Sequence, residues 1–140
     1  MNKFDAYIQT LKQSLRDLGI TVPLSTSYEI TTLCNLSCEH CYNKNKKLIP
    51  SDQLNLDEKK EVISKLKKLG ILEITICGGE PFVDKDILLI IEYIKALNLR
   101  LIILTNGLLL TTDIINRLNE ILDINDIIQI SVDDVIIGNI

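Results

Sequence analysis

The chain runs to 140 residues with a formal net charge of −4; 46% of them are apolar and 24% charged. That suffices for one soluble, globular domain with a real core, and the mild acidity argues against nucleic acid as a partner. No apolar run approaches the roughly 18 residues of a membrane span, and the opening Met1-Asn2-Lys3-Phe4-Asp5 lacks the apolar run of a signal peptide, so no membrane and a cytoplasmic location are expected.

With no tryptophan and only two phenylalanines, Ile and Leu must build the core. Phe4, Tyr7, Ile8, Leu11, Leu15 and Leu18 recur at helical spacing, and Gly19 is a natural stop. This leading helix is expected to pack on the domain as a cover. Pro23 and Ser25-Thr26-Ser27 mark a connector. Residues 28–32 alternate and are β-branched, as a first strand would be. A loop holding Cys34, Cys38 and Cys41 leaves its C-terminal end, and Asn43-Lys44-Asn45-Lys46-Lys47 then reads as a solvated basic stretch. Asn55-x-x-Glu58 has the form of a helix start. Val62, Ile63, Leu66 and Leu69 form that helix's apolar face, and Gly70 ends it.

Residues 72–76 form a second strand that leads straight into Cys77-Gly78-Gly79-Glu80-Pro81. Asp84 is expected to cap the next helix, whose inner face is Ile87, Leu88, Ile91 and Ile94. Residues 100–104 form a third strand, apolar enough for a parallel strand buried on both faces. Thr111 or Thr112 caps a helix carrying Ile114, Ile115, Leu118, Ile121 and Leu122 on one side. Residues 127–131 form the fourth strand. Strands alternating with helices at near-regular spacing give βαβ units, hence an α/β fold with a parallel sheet and right-handed crossovers. The motifs lie just past the C-terminal ends of strands, the functional edge of parallel α/β folds.

Three of the four cysteines fall within eight residues, spaced C-x3-C-x2-C. One short loop can therefore aim three thiolates at a metal or an iron–sulfur cluster. Close-spaced cysteines in a reducing compartment bind metal or react more readily than they pair. An ordinary cubane cluster takes four cysteines, so three would leave one iron open.

That spacing resembles the signature of the radical S-adenosylmethionine (SAM) superfamily, C-x3-C-x-Φ-C with Φ usually aromatic; here His40 takes the Φ position. Gly78-Gly79-Glu80-Pro81, Thr105-Asn106-Gly107 and Ser131-Val132-Asp133 follow in the family's order at successive strand ends, covering the chain from about Tyr28 to Asp133. Asp134 stands where the family often has glycine. The resemblance implies an incomplete parallel (βα) partial barrel of about four strands, with residues 1–24 as helix and connector and 25–140 as the core domain. Cys34, Cys38 and Cys41 would hold a [4Fe–4S] cluster. Its fourth iron would take the amino and carboxylate groups of SAM. Gly78 and Gly79 would let backbone approach the methionine moiety, Glu80 would answer its ammonium, and Pro81 would stiffen the turn. Ser131 and Asp133 would contact the ribose, His40 and Tyr42 would lie by the adenine, and Asn106 would add a further contact.

The implied activity is reductive cleavage of SAM to methionine and a 5′-deoxyadenosyl radical that takes a hydrogen atom from a substrate. An electron donor of flavodoxin or ferredoxin type would be a partner. Leu33-Cys34-Asn35-Leu36-Ser37-Cys38 with Cys41-Tyr42-Asn43 looks most like the branch that modifies peptides or proteins, so a peptide or small-molecule substrate is expected. The family usually has six βα units, whereas Ile140 comes nine residues after the fourth strand. A fragment, a split product or a truncation completed by a C-terminal partner chain is therefore expected, and a silent cluster-binding module is an alternative.

Other readings of the same residues stay open. The cysteine loop with His40 could hold structural zinc in an interaction domain, although the adjacent His40 and Cys41 wrap one tetrahedral ion poorly. Gly78-Gly79 could be a plain turn, Glu80 a first-turn carboxylate favoured by a helix dipole, and Asn106-Gly107 a turn pair. Ser131 could be a strand-end cap, Asp133 a turn residue, and Cys77 a buried apolar side chain.

Overall fold

In a computed structural model the chain is described over residues 3–20, 23–43 and 53–132. A leading helix α1 (Lys3–Asp17) is followed by β1 (Ser25–Thr31), α2 (Leu56–Lys68), β2 (Glu73–Gly78), a 3-10 turn (Pro81–Val83), α3 (Ile87–Ala96), β3 (Arg100–Thr105), α4 (Thr112–Ile121) and β4 (Ile127–Ile130). The four strands form one sheet in the order β1-β2-β3-β4, and every neighbouring pair is parallel. Strand order that follows chain order, joined by right-handed crossovers, puts successive helices on the same face. Accordingly α2 lies beside α3 and α3 beside α4.

Isoleucine builds the core between that face and the helices. Ile74 and Ile76 of β2, Leu101 and Ile103 of β3, Ile63 of α2, Ile90, Ile91 and Ile94 of α3 and Leu118 of α4 are all buried. Each such side chain stabilises the fold by roughly 1.5–3 kcal/mol relative to exposure. Alternate residues point to the opposite face, where Thr75, Cys77, Ile102 and Leu104 are only half-buried. The third strand is thus covered on one face and not on both, because no described element lies over the other.

Local signals explain most element ends. Asn55 caps α2, accepting from the N–H groups of Asp57 (2.9 Å) and Glu58 (3.1 Å), while the Glu58 carboxylate accepts the Asn55 N–H at 2.8 Å. Thr111 caps α4 through the Ile114 N–H. Asp84 does not cap α3 as expected; Asp86 occupies that position, without a side-chain cap bond. Instead the Asp84 carboxylate accepts the Asp86 N–H at 2.9 Å and pairs with the Lys59 ammonium, both side chains being buried. A buried ammonium needs a counter-charge more than a helix end, open to water, needs a cap.

The first strand starts at Ser25, three residues before the expected Tyr28, so the serine–threonine run belongs to the sheet. None of the described side chains of α1 is buried; Ile8, Gln9 and Lys12 close a cavity of about 200 Å³ with Leu24, Ser25, Glu73 and Arg100 at the N-terminal edge of the sheet. The helix therefore covers an edge more than a face. Leu69 and Ile115, read as apolar-face residues, are exposed. No described helix is long and apolar enough to cross a membrane.

Candidate functional site

The site is built where β1 and β2 end together. Between Glu29 and Thr31 the β1–β2 register slips, so that Glu29 stands opposite Cys77 but Thr31 opposite Gly78. A bulge of this kind bends the strand and re-aims the chain after it. Beyond it the pairing continues: the Gly79 N–H donates to Thr31 O and the Glu80 N–H to Leu33 O, each at 2.8 Å. A Cβ on Gly78 would lie 2.2 Å from Thr31 O, and one on Gly79 2.0 Å from Leu33 O; Gly78 also has φ +134°. Both glycines are therefore required by the chain's own close approach, before any ligand is considered.

The cysteine loop runs on from there. The Cys34 sulfur accepts the Leu36 N–H and the Cys41 sulfur the Asn43 N–H, each at 3.4 Å, and the Cys41 N–H closes a turn onto Cys38 O. Three side-chain bonds fasten the loop to the sheet. Asn43 Nδ2 donates to Gly78 O at 3.3 Å, the Tyr42 hydroxyl to Glu29 Oε1 at 3.2 Å, and Asn106 Nδ2 to Asn35 Oδ1 at 2.8 Å. The Tyr42 hydroxyl is shifted above its ordinary value, first by burial and then by Glu29 and Cys77. Of the basic stretch read in the sequence, residues 44–47 lie outside the described residues.

Glu80 is 1% exposed. Its Oε1 accepts the Phe82 N–H (3.1 Å) and the Thr105 hydroxyl (2.7 Å), and its Oε2 accepts the Asn106 N–H (2.8 Å). Between these groups opens a cleft of about 590 Å³ at the C-terminal edge of the sheet. Cys34, Cys38 and Cys41 line it together with His40, Tyr42, Gly78, Gly79, Glu80, Asn106 and Ser131. Pro81 is buried in the 3-10 turn behind it, and Asp133 lies outside the described residues. Cys77, read as a buried apolar side chain, is half-buried and lines the cleft.

All three loop cysteines are free thiols sharing one wall of the cleft. Among the described residues no three His, Cys, Asp or Glu side chains are gathered closely enough to hold one metal ion. A single zinc ion would need all its donors about 2.0–2.3 Å from one point. A cubane cluster seats each cysteine on a different iron, so it asks for sulfurs that share a cleft without meeting. The donor set, with backbone N–H groups already directed at two of its sulfurs, suits the cluster. Asn43 and Thr105 were not singled out as site residues by sequence reasoning, although each stands in a motif: Thr105 opens Thr-Asn-Gly, and Asn43 closes Cys41-Tyr42-Asn43.

A family profile described as the Radical SAM superfamily matches residues 28–135. The chain belongs to that superfamily. It is 34% identical over 96 residues to the AdoMet-dependent heme synthase of Methanosarcina barkeri, a match covering 69% of this chain and 28% of the relative. It is 33% identical over 102 residues to the PqqA peptide cyclase of Bradyrhizobium diazoefficiens, covering 73% and 26% respectively. The crystal structure of Streptococcus suis SuiB bound to precursor peptide SuiA superposes with a TM-score of 0.62 at 21% identity, covering 84% of this chain and 27% of that one. This last likeness speaks for the fold, a radical SAM partial barrel of which four parallel strands are present. The radical SAM chain described here spans about a quarter of the length of the curated relatives it matches.

Proposed function

We propose that residues 25–140 are the first part of a radical SAM catalytic core, preceded by a helix and connector over 1–24, and that they bind a [4Fe–4S] cluster and SAM. One observation carries the reading: the three loop cysteines and Gly78-Gly79-Glu80 line a single cleft at the C-terminal edge of a parallel sheet. When bound, the cluster and SAM supply one-electron cleavage of the sulfonium C–S bond and a carbon radical that takes a hydrogen atom from a substrate.

The chain's own contribution is placement. Cys34, Cys38 and Cys41 hold three irons as thiolates, with the Leu36 and Asn43 N–H groups lowering the charge felt at two sulfurs. A carboxylate offers about four lone-pair sites; three are taken at Glu80, and the fourth is left for the methionine ammonium. All three donors are neutral dipoles, so none of them is a counter-charge competing with that partner. In this reading His40 and Tyr42, which line the cleft, serve the adenine, Ser131 and Asp133 the ribose, and Asn106 a further contact.

The substrate is a peptide in this reading. Its support is the similarity to PqqA peptide cyclase and the fold of SuiB, solved with a precursor peptide, together with the sheet face that no described helix covers. The similarity to a heme synthase favours a second reading, a tetrapyrrole substrate on the same cofactor chemistry. Further strands, in this chain's continuation or in a partner chain, lie against β4 and complete the barrel; Ile130 at 51% and Val132 at 65% exposure offer them an apolar edge. A flavodoxin- or ferredoxin-type protein delivers the electron.

Anaerobic iron–sulfide reconstitution tests the assignment. About four irons per chain are expected, with deoxyadenosine released from SAM under a strong reductant. If Cys34→Ala, Cys38→Ala and Cys41→Ala each retained the wild-type iron content, the assignment would fall. Cluster and SAM binding without deoxyadenosine, restored by a separate C-terminal fragment, would instead make the chain one half of a split enzyme.

A further inference from the structure

Asn43 stands two residues after the last loop cysteine and is 9% exposed. Its backbone N–H donates to the Cys41 sulfur at 3.4 Å, and its side-chain Nδ2 donates to Gly78 O at 3.3 Å. One residue thus touches a sulfur of the cysteine loop and the carbonyl of the first glycine in Gly-Gly-Glu-Pro. The amide orientation is fixed by chemistry, since the reverse would set two oxygens against each other. Tyr42 also approaches Gly78 O, at 3.5 Å, but its hydroxyl oxygen lies closer to Glu29 Oε1, at 3.2 Å, and has a single hydrogen to give.

The remaining atom of that side chain, Asn43 Oδ1, is buried and has no hydrogen-bond partner among the described residues. Native folds satisfy nearly all buried polar atoms. An orphaned one costs about as much as, or more than, a single neutral hydrogen bond returns. Stability gives asparagine little reason to stand here, because alanine would remove the orphan along with the bond and leave Gly78 O to the Tyr42 hydroxyl at 3.5 Å.

We propose that Asn43 is a positioning residue: its bond to Gly78 O sets the separation between the cysteine loop and the Gly78–Glu80 segment, and so between the cluster and the methionine end of SAM. This deepens the radical SAM reading and rests on it. The cysteines lie within one loop and can take up iron without Asn43; what fails without it is the registration of the loaded loop against the glycine segment.

The test uses the whole chain, reconstituted anaerobically, as wild type, Asn43→Ala and Asn43→Asp. Asparagine-to-aspartate keeps the shape but turns an acceptor toward the Gly78 carbonyl. Three quantities are read: iron per chain, the urea midpoint of the iron-free protein, and a SAM titration followed by the electron paramagnetic resonance of the reduced cluster. Both variants are expected to hold wild-type iron, and Asn43→Ala to unfold at the same or a higher urea midpoint. The SAM dissociation constant should rise about tenfold in Asn43→Ala, the loss of one well-placed bond, and further in Asn43→Asp, with an altered SAM-induced signal. Titrations that superimpose on wild type would overturn the proposal. So would iron loss in Asn43→Ala, or a weakened titration accompanied by a matching fall in urea midpoint, since either makes the role structural. Should Asn43→Asp not fold, Asn43→Ala decides alone, because it only deletes atoms. A wild-type chain that takes up no iron would bring down the functional reading itself, a result distinct from all of these.

Discussion

The Thr105 hydroxyl donates to Glu80 Oε1 at 2.7 Å, joining the end of β3 to the end of β2 where neither residue meets solvent to any extent. Two sequence motifs are thereby one physical unit. The Asn106 N–H adds a second link to Glu80, and the Asn106 side chain carries the connection on to Asn35 between the first two cysteines.

Replacing Thr105 with valine keeps the shape and removes the hydroxyl. It also strips the Gly107 N–H of its acceptor at 3.0 Å. A hydrogen bond to a charged group contributes about 1.5–3 kcal/mol, so Thr105→Val should lose that much in urea denaturation. Thr105→Ser, which keeps the hydroxyl and drops one methyl, should lose only about 1 kcal/mol. Equal losses in the two variants would mean that the methyl and not the bond matters.

The glycines give a sharper contrast. A Cβ on Gly79 would sit 2.0 Å from Leu33 O, a backbone atom that cannot swing aside, whereas one on Gly19 at φ +67° would meet nothing within 4 Å. Gly79→Ala is expected to cost about 3 kcal/mol or more by overpacking, and Gly19→Ala only the 1–2 kcal/mol of a left-handed backbone. Thermal unfolding of the two variants side by side checks this. Comparable midpoints would show that the β1 exit yields, and that Gly79 is spared for a ligand.

The order of strands and helices was legible because isoleucine and leucine recur at periods that only one element type can bury. Asn55 and Thr111 announced their helices for the same local reason. What the pattern could not carry was competition. Asp84 has the right place for a cap, but Lys59, 25 residues earlier in sequence, claims its carboxylate from α2. Ser25 and Ser27 read as a connector because they stand on the exposed face of β1, which needs no apolar residue, while Thr26 between them points to the other side. At the site, the cysteines and Gly-Gly-Glu declared themselves by type and spacing. The purpose of the two glycines did not, since the carbonyls they make room for belong to Thr31 and Leu33. Asn43 was hidden for a related reason: the partner of its side-chain amide is Gly78, far along the chain.

Acid should weaken the turn that starts β4. The Asp123 carboxyl is held below its ordinary 3.8, first by a hydrogen bond from the Lys95 ammonium and then by the Asn125 N–H. A depressed folded value means that the unfolded chain binds the proton more readily. The contribution is therefore present above the unfolded value and lost as pH falls through the folded one. Asp123 is 53% exposed at its side chain, so solvent screening keeps the effect under about 1 kcal/mol. Asp123→Asn should cost that much at pH 7, and the gap to wild type should close progressively below about pH 4. A gap that stayed constant down to the acid transition would show that the carboxylate's charge plays no part.

The ion pair beneath the Gly-Gly-Glu-Pro turn should behave in the opposite manner to a surface bridge. Lys59 and Asp84 have side chains 6% and 7% exposed, and the pair joins α2 to the segment just after Val83. Removing one member strands a buried charge, which costs about 3–5 kcal/mol, whereas exchanging both for apolar residues of similar volume is often neutral. Lys59→Met and Asp84→Leu should each unfold at much lower urea, and the double variant should recover most of the loss. Because Asp84 also holds the Asp86 N–H, the recovery should fall short of wild type by about 1 kcal/mol. Two single losses that simply add in the double variant would show that the charges do not feel each other, and the turn behind Glu80 would then be held by its own hydrogen bonds and by Pro81 and Phe82 packing.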